Sequence, residues 1–210
     1  MLHTGGPGVT NTSRLASQIT PAVPTFLALP LRTQRLSLRP LGLDDASALF
    51  SIYSDPNAMQ YWGAPAWTQA EQAVDMIKRE TKALEAGEHL RLGIESQVDG
   101  KLIGACTLFS FHESSRRAEV GYILAPHCWG QGLMAESLGA LIAYAFTQLN
   151  LNRIEADIDP RNQRSGKVLQ RLGFIKEGLL RQRWIVSGET SDTALFGLLR
   201  SDWDGNRGSV

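Results

Sequence analysis

Cysteine is scarce: the 210 residues hold two, Cys106 and Cys128. Neither falls in a Cys-x-x-Cys pair or at a Cys/His ligand spacing, and the four histidines (His3, His89, His112, His127) are scattered. A zinc site or a disulfide framework is therefore not expected, no metal is expected, and reduced thiols in a cytoplasmic setting are the default. Apolar runs of membrane-spanning length are missing, so no membrane partner is expected. The stretch Ala22 to Leu31 is short and interrupted by Pro24 and Pro30, which makes a poor signal-peptide core. Net charge is lacking too. Twenty-one basic and 21 acidic residues cancel, so no basic excess points to nucleic acid. Residues 1–30 contain no acid and are rich in Gly, Pro, Ser and Thr. Such a composition buries too little to offset ordering entropy, and a flexible tail is expected. Arg14 is the only base before Arg32, which argues against an organelle presequence.

What is present suffices for a core: 43% hydrophobic residues against 20% charged. One domain is expected over residues 31–203, followed by a short tail, 204–210. Arg35 to Arg39 alternates as a half-buried strand that ends at Pro40. Asp44 or Asp45 starts a helix with Ala46, Leu49, Phe50 and Tyr53 on one face, and Asp55-Pro56-Asn57 breaks it. Tyr61, Trp62 and Trp67 follow in a loop, as packing for the core or as a substrate lining. Thr68-Gln69-Ala70-Glu71 has the form of a capping box. The helix after it places Ala70, Ala73, Val74, Ile77 and Leu84 on one stripe, with Glu71, Asp75, Glu80 and Glu85 read as a solvated face and Gly87 as the stop. Leu90, Leu92 and Ile94 alternate; Asp99-Gly100 signals a type I′ hairpin into a strand from Leu102 to Phe111; a further strand runs from Ala118 to Leu124. Leu138, Leu141, Ile142, Ala145, Phe146 and Leu149 give a strong helical period from about Leu133. Arg153 to Ile158 is a strand. A helix from Asn162 or Ser165 turns Val168, Leu169 and Leu172 inward before Gly173, and a hairpin of about Arg181 to Val186 and Asp192 to Leu199 closes the chain. The order β-α-α-β-β-β-α-β-α-β-β describes an α/β chain with a mixed, mostly antiparallel sheet of about seven strands and four helices. One parallel crossover is required, around the segment His127 to Glu136.

That segment reads HCWGQGLMAE. Gly130 and Gly132 sit between a strand and the start of a helix, where free backbone N–H groups and the positive end of the helix dipole favour phosphate. Gly130-x-Gly132-x-x-Ala135 also fits a dinucleotide fingerprint, with Asp157 on the next strand as a possible ribose contact. Against that reading, Ala125 to Trp129 separate the strand from the glycines, and an antiparallel meander precedes them where a doubly wound sheet would alternate strand and helix.

Glu119-Val120-Gly121-Tyr122-Ile123-Leu124 followed by Pro126-x-x-Trp129-Gly130-Gln131-Gly132-Leu133-Met134-Ala135-Glu136 resembles the acetyl-CoA motif of the GNAT acetyltransferases. Asn162-x-x-Ser165-x-x-Val168-Leu169-x-x-Leu172-Gly173-Phe174 resembles their second motif, in the right order and spacing. The Trp-Gly-x-Gly form with Asn-x-x-Ser is similar to the RimJ/RimL-type subgroup (ribosomal-protein N-terminal acetyltransferase-like), as are Asp55-Pro56, Tyr61-Trp62 and Pro65. The likeness covers about Thr33 to Trp203. Met134 stands where a small residue is usual, and Leu169 where many members carry a proton-donating Tyr.

The resemblance implies a GNAT fold and acetyl transfer from acetyl-CoA to a primary amine by direct attack in a ternary complex. The acceptor leans to a protein or peptide N-terminal α-amino group. A small amine (polyamine, amino acid or antibiotic) and a non-catalytic acyl-CoA sensor are the alternatives, and the chain would act as a monomer or homodimer. Backbone N–H groups of Gly130, Gln131, Gly132, Leu133 and Met134, with Trp129, would hold the pyrophosphate. Ile123 and Leu124 would pair with the pantetheine arm. Glu119 is the candidate base, or else a strand glutamate paired with Arg116 or Arg117. Asn162 would contact the cofactor or cap its helix. Ser165 would protonate the departing thiolate or bond nearby backbone. Tyr61 and Trp62 would line the acceptor site. Arg161, Arg164, Lys167 and Arg171 form a basic run, in part solvated and in part able to meet a 3′-phosphate.

Overall fold

The computed structural model describes residues 26–206. Its strands are β1 (Leu31–Arg32), β2 (Leu36–Arg39), β3 (Leu90–Ser96), β4 (Leu102–His112), β5 (Arg117–Leu124), β6 (Arg153–Ile158), β7 (Ile175–Val186) and β8 (Glu189–Leu199). The helices are α1 (Ala46–Tyr53), α2 (Pro56–Met59), α3 (Glu71–Glu85), α4 (Leu133–Thr147), α5 (Gln163–Arg171) and α6 (Arg200–Asn206). All eight strands form one sheet in the order β1-β2-β3-β4-β5-β6-β8-β7. Only β5 and β6 run parallel, and α4 makes their crossover. The mixed, mostly antiparallel α/β architecture is as expected. The additional elements are β1, α2 and α6, of two, four and seven residues, too short to leave a periodicity.

Local chemistry explains most boundaries. At Asp55-Pro56 the chain leaves α1 and at once starts α2, because Asp55 Oδ1 accepts from the N–H groups of Asn57 (2.7 Å) and Ala58 (3.2 Å) and Pro56 presets the first turn. The capping box expected at Thr68 does not form. Gln72 Oε1 instead accepts from the N–H groups of Thr68 (2.9 Å) and Gln69 (3.0 Å), one turn further on. Ala70 is exposed, outside the stripe expected for α3. Asp99-Gly100 is not a two-residue type I′ turn either. Ser96 donates to Lys101 across a four-residue loop, 97–100, in which Gly100 has φ 69° and Asp99 has none of the positive φ that the turn type needs. Residues 26–30, expected within the tail, pack onto the body: Phe26 lies against Phe111, and Leu27 O accepts from Tyr144 Oη at 2.8 Å.

Glu80 departs furthest from its expected surroundings. It occupies the buried stripe of α3 with Ala73, Met76, Ile77 and Ala83 and is 5% exposed. Its four-residue spacing from Met76 places it there, and the start of β3 brings His89 Nε2 to 2.8 Å and Arg91 Nε to 3.3 Å from its Oε2. A buried carboxylate is tolerable only with such partners. The helices α4 and α5 follow the pattern closely. Leu138, Leu141, Ile142, Ala145, Phe146 and Leu169 are all in the core, and Gly173 ends α5 at φ 91°. In the final hairpin both strands are longer than expected, because β7 is an exposed edge strand without alternation to read.

One irregularity of the sheet positions the site. β5 and β6 pair over three residues, Arg117 to Glu119 with Arg153 to Glu155, and then part. From Gly121 to Leu124, β5 keeps β4 on one side and has no strand on the other. Residues facing each other in register share a sheet face. Arg91 bonds Tyr53 of α1 and is in register with Thr107, itself in register with Gly121, so Glu119 and Gly121 lie on the α1 side. Tyr122, bonded to Ser165 of α5, points to the opposite side.

Candidate active site

The glycine turn is built for backbone exposure. Gly130 and Gly132 have φ 77° and 76°, the left-handed region that side chains disfavour. A Cβ at Gly130 would meet no atom within 4 Å, so there is open space where the N–H groups could receive an anion. The turn is braced from behind. Arg35 donates to Gln131 O (3.0 Å) and Glu136 Oε2 (2.6 Å), while Glu136 Oε1 accepts from Thr33 Oγ1 (2.6 Å). Trp129 donates from Nε1 to Leu124 O at 2.8 Å, tying the turn to the end of β5, and the Arg164 guanidinium lies over its ring, 4.7 Å from the centroid. Met134 is 8% exposed and packs in the core, so its bulk is absorbed there. Gln131 turns its side chain to His127 O (3.1 Å) and stands on the outer side of the turn.

Across from the turn lies the start of α5, and between them runs a groove of about 720 Å³. It brings together Tyr61, Trp62, Ile123, Leu124, Trp129, Gly130, Gly132, Leu133, Met134, Asn162 and Ser165, the site residues expected from the sequence apart from Gln131 and Glu119. Asn162 Oδ1 accepts from Ser165 N–H at 3.1 Å and so caps α5. Ser165 is buried, and its Oγ lies 2.6 Å from Tyr122 Oη. Burial pushes the Tyr122 phenol up to about 12, against the opposing effect of the Ser165 bond, so it stays protonated at neutral pH. Sequence reasoning missed Tyr122. The resemblance puts the family's usual phenol at position 169, where this chain has a Leu fully buried in the core, whereas the structure supplies a phenol from β5. Strand alternation alone cannot show which residue of α5 a β5 side chain reaches.

Glu119 lines a second, adjoining cavity of about 1020 Å³ on the α1 side of the sheet. The two cavities share Gln60, Tyr61, Trp62, Tyr122, Arg161, Asn162 and Ser165, so they meet where β5 and β6 part. Burial and the neighbouring charge of Asp157 raise the Glu119 pKa, outweighing a hydrogen bond from Ser110. Burial raises Asp157 as well, although Arg183 Nε lies 3.7 Å away. Arg117, foreseen as a partner for Glu119, pairs with Glu155 instead, at 2.8 Å. Arg161 is held by Asp159 and Glu189, both at 2.6 Å, and lies over the Tyr61 ring. Arg164, Lys167 and Arg171 line the groove beside the turn. Among the described residues no cluster of His, Cys, Asp and Glu has the form of a metal site, and no helix is long and apolar enough to cross a membrane.

The site thus sets a glycine turn with open space at its N–H groups against a parted pair of strands, with a half-buried carboxylate across the gap, an arrangement suited to a phosphate-bearing ligand. The family model described as "Acetyltransferase (GNAT) domain" matches residues 35–175. The chain is 39% identical over 175 residues to an uncharacterized N-acetyltransferase, p20, of Bacillus licheniformis, covering 83% of this chain and 98% of the relative. It is 33% identical over 122 residues to the [ribosomal protein uS5]-alanine N-acetyltransferase of Escherichia coli (58% and 63% covered). To the spermidine N(1)-acetyltransferase of that species it is 27% identical over 154 residues (73% and 80%). Mycobacterium smegmatis RimJ, solved in complex with CoA-disulfide, superposes with a TM-score of 0.71 at 27% identity, covering 79% of this chain and 82% of that one. The chain belongs to the GNAT acetyltransferase family, with a RimJ/RimL-like likeness, and is an acetyl-CoA-dependent N-acetyltransferase.

Proposed function

We propose that this enzyme acetylates the N-terminal α-amino group of a protein or peptide by direct attack in a ternary complex. Acetyl-CoA supplies the thioester, whose C–S bond breaks as the amine forms the new C–N bond. The N–H groups of the Gly130–Met134 turn hold the pyrophosphate, and the free edge of Ile123 and Leu124 orients the arm that carries the acetyl group. Asn162, whose oxygen caps α5, offers its side-chain N–H₂ to the arm. Glu119 takes the proton that the ammonium loses, a task suited to a carboxylate whose pKa is raised toward neutrality. Ser165 gives its proton to the departing sulfur. Donation from Tyr122 Oη to Ser165 Oγ leaves the serine proton free to point into the groove. Tyr61 and Trp62, at the junction of the two cavities, bound the acceptor.

The observation that carries this reading is the meeting of the two cavities at the parted strands, the glycine turn in one and Glu119 in the other. The second cavity crosses the sheet from β3 to β7, a length that suits a chain segment, and the uS5-alanine relative accords with it. Small polyamines form the second reading, favoured by the spermidine relative and by the acids Glu119, Asp157, Asp159 and Glu189 around the cavity. Incubation with acetyl-CoA and a mixed pool of peptides and small amines, read by mass spectrometry, separates the two. Acetylated peptide N-termini are expected. Products confined to polyamines or other small amines would overturn the peptide reading.

A further inference from the structure

The charges of the acceptor cavity are not evenly distributed. Around its middle and its β7 end, Glu119, Asp157, Asp159 and Glu189 face two arginines, Arg161 and Arg183. At its β3 end the balance reverses, and one acid, Glu80, faces Arg79, Arg91 and His89. That end is not a saturated ion cluster. Arg91 donates from Nη1 to Tyr53 Oη at 2.9 Å. Its Nε is buried 3.3 Å from Glu80 Oε2, an oxygen that also lies 2.8 Å from His89 Nε2, so one carboxylate serves both bases. A single carboxylate thus faces two guanidinium groups and an imidazole that line the cavity, so the cluster has capacity for a second carboxylate. The Arg79 side chain is 64% exposed and reaches Glu80 only at 3.4 Å.

We propose that this end is a carboxylate subsite, and that the acceptor carries an acidic group on the second or third residue, counted from its reacting amine. The inference rests on the peptide reading of the acceptor. The register sets the distance. Arg91 pairs with Thr107 and Thr107 with Gly121, so Arg91 stands two strand spacings, about 10 Å, from the point where β5 loses its neighbour. An extended peptide covers about 3.3–3.6 Å per residue. An amine held at Glu119 and Gly121 thus places the second or third residue over Arg79, His89 and Arg91. The ammonium sits where acids are in excess and the carboxylate where bases are, a complementarity that a polycation would violate at the β3 end. The carboxylate can be a side chain or the C-terminus of a very short peptide.

The test uses the full chain with acetyl-CoA and matched acceptors: peptides with Glu or Gln at positions two and three, tripeptide acids and their amides, 8-aminooctanoic acid and its amide, and spermidine. For the wild type, kcat/KM for the acid is expected to exceed that for its amide on the order of tenfold, through KM. If side chains are the source, the Glu/Gln pair shows the difference; if the C-terminus, the acid/amide tripeptides show it. Arg79→Ala, at an exposed position that does not threaten folding, should shrink the ratio severalfold, and Arg91→Gln should bring it close to one. Equal kcat/KM within every pair, or an acid preference that both variants leave intact, would overturn the subsite. Acetylation of small amines but of no peptide would overturn the peptide reading alone, and 8-aminooctanoic acid and its amide, whose carboxyl end reaches about 10 Å from the amine, would still decide the subsite.

Discussion

The hydroxyls of Tyr122 and Ser165 lie 2.6 Å apart, reaching each other from a strand and a helix that flank the same groove. With burial keeping the phenol protonated, the pair is suited to hold one proton ready and replace it from behind. Ser165→Ala should lower kcat by about a hundredfold, the usual scale for a lost general acid, with little change in KM for acetyl-CoA. Tyr122→Phe should cost less, about tenfold, and its loss should shrink when Ser165 is already Ala. Steady-state kinetics of the two single variants and the double variant check this, and full additivity would separate the two residues.

Glu119→Gln tests the base. The carboxyl is raised first by burial and then by Asp157, so the wild-type rate should climb with pH across the range above the ordinary glutamate pKa. The variant should turn over about a hundredfold more slowly and lose that limb. Stability should move the other way. A folded pKa above the unfolded one means that ionisation weakens the fold once pH passes the unfolded value, so the glutamine should be as stable as the wild type or more so at pH 7. A drop in Tm with an unchanged rate profile would make Glu119 a structural residue.

Gly130→Ala isolates the turn. The added methyl meets open space, but the backbone φ of 77° would be strained by about 1–3 kcal/mol unless the turn opens. Opening would misdirect the N–H groups. A severalfold rise in KM for acetyl-CoA with kcat nearly unchanged is expected, together with a smaller upward shift in Tm on adding acetyl-CoA, measured by thermal shift.

Asp45→Asn concerns stability alone. Burial opposes ionisation of Asp45, but hydrogen bonds from the Arg39 guanidinium (2.7 and 2.9 Å) and the Gly42 N–H (2.8 Å) outweigh it and hold the carboxyl below its usual value. Its contribution is present above the unfolded pKa and disappears as pH falls through the folded one. The asparagine should cost roughly 2 kcal/mol at pH 7 and progressively less as pH falls below the unfolded carboxylate value, by urea unfolding over a pH series.

Most of the fold could be read from periodicity, because helices such as α4 and strands such as β6 bury one face along their whole length. What escaped was short, exposed or dependent on a distant partner. β1 and α2 have too few residues to show a period, and β7 lies exposed at an edge. Glu80 looked solvated because nothing local announces that His89, just before the next strand, and Arg91, on it, will surround it. In the site, glycine spacing and Asn162-x-x-Ser165 pointed to the groove. The hydroxyl pair did not show, since Tyr122 and Ser165 are separated by 43 residues and meet only once the crossover is made.

Three residue pairs join β5 to β6, and everything from β1 to β5 hangs together on one side of that seam, with β6, β8 and β7 on the other. The sheet is therefore two panels on a narrow hinge. A molecule wedged into the opening would act as a splint as well as a reactant, sharing load between the panels. Hydrogen exchange along Gly121 to Leu124 should slow when acetyl-CoA is added, and the first part of the protein to loosen on heating should be this seam.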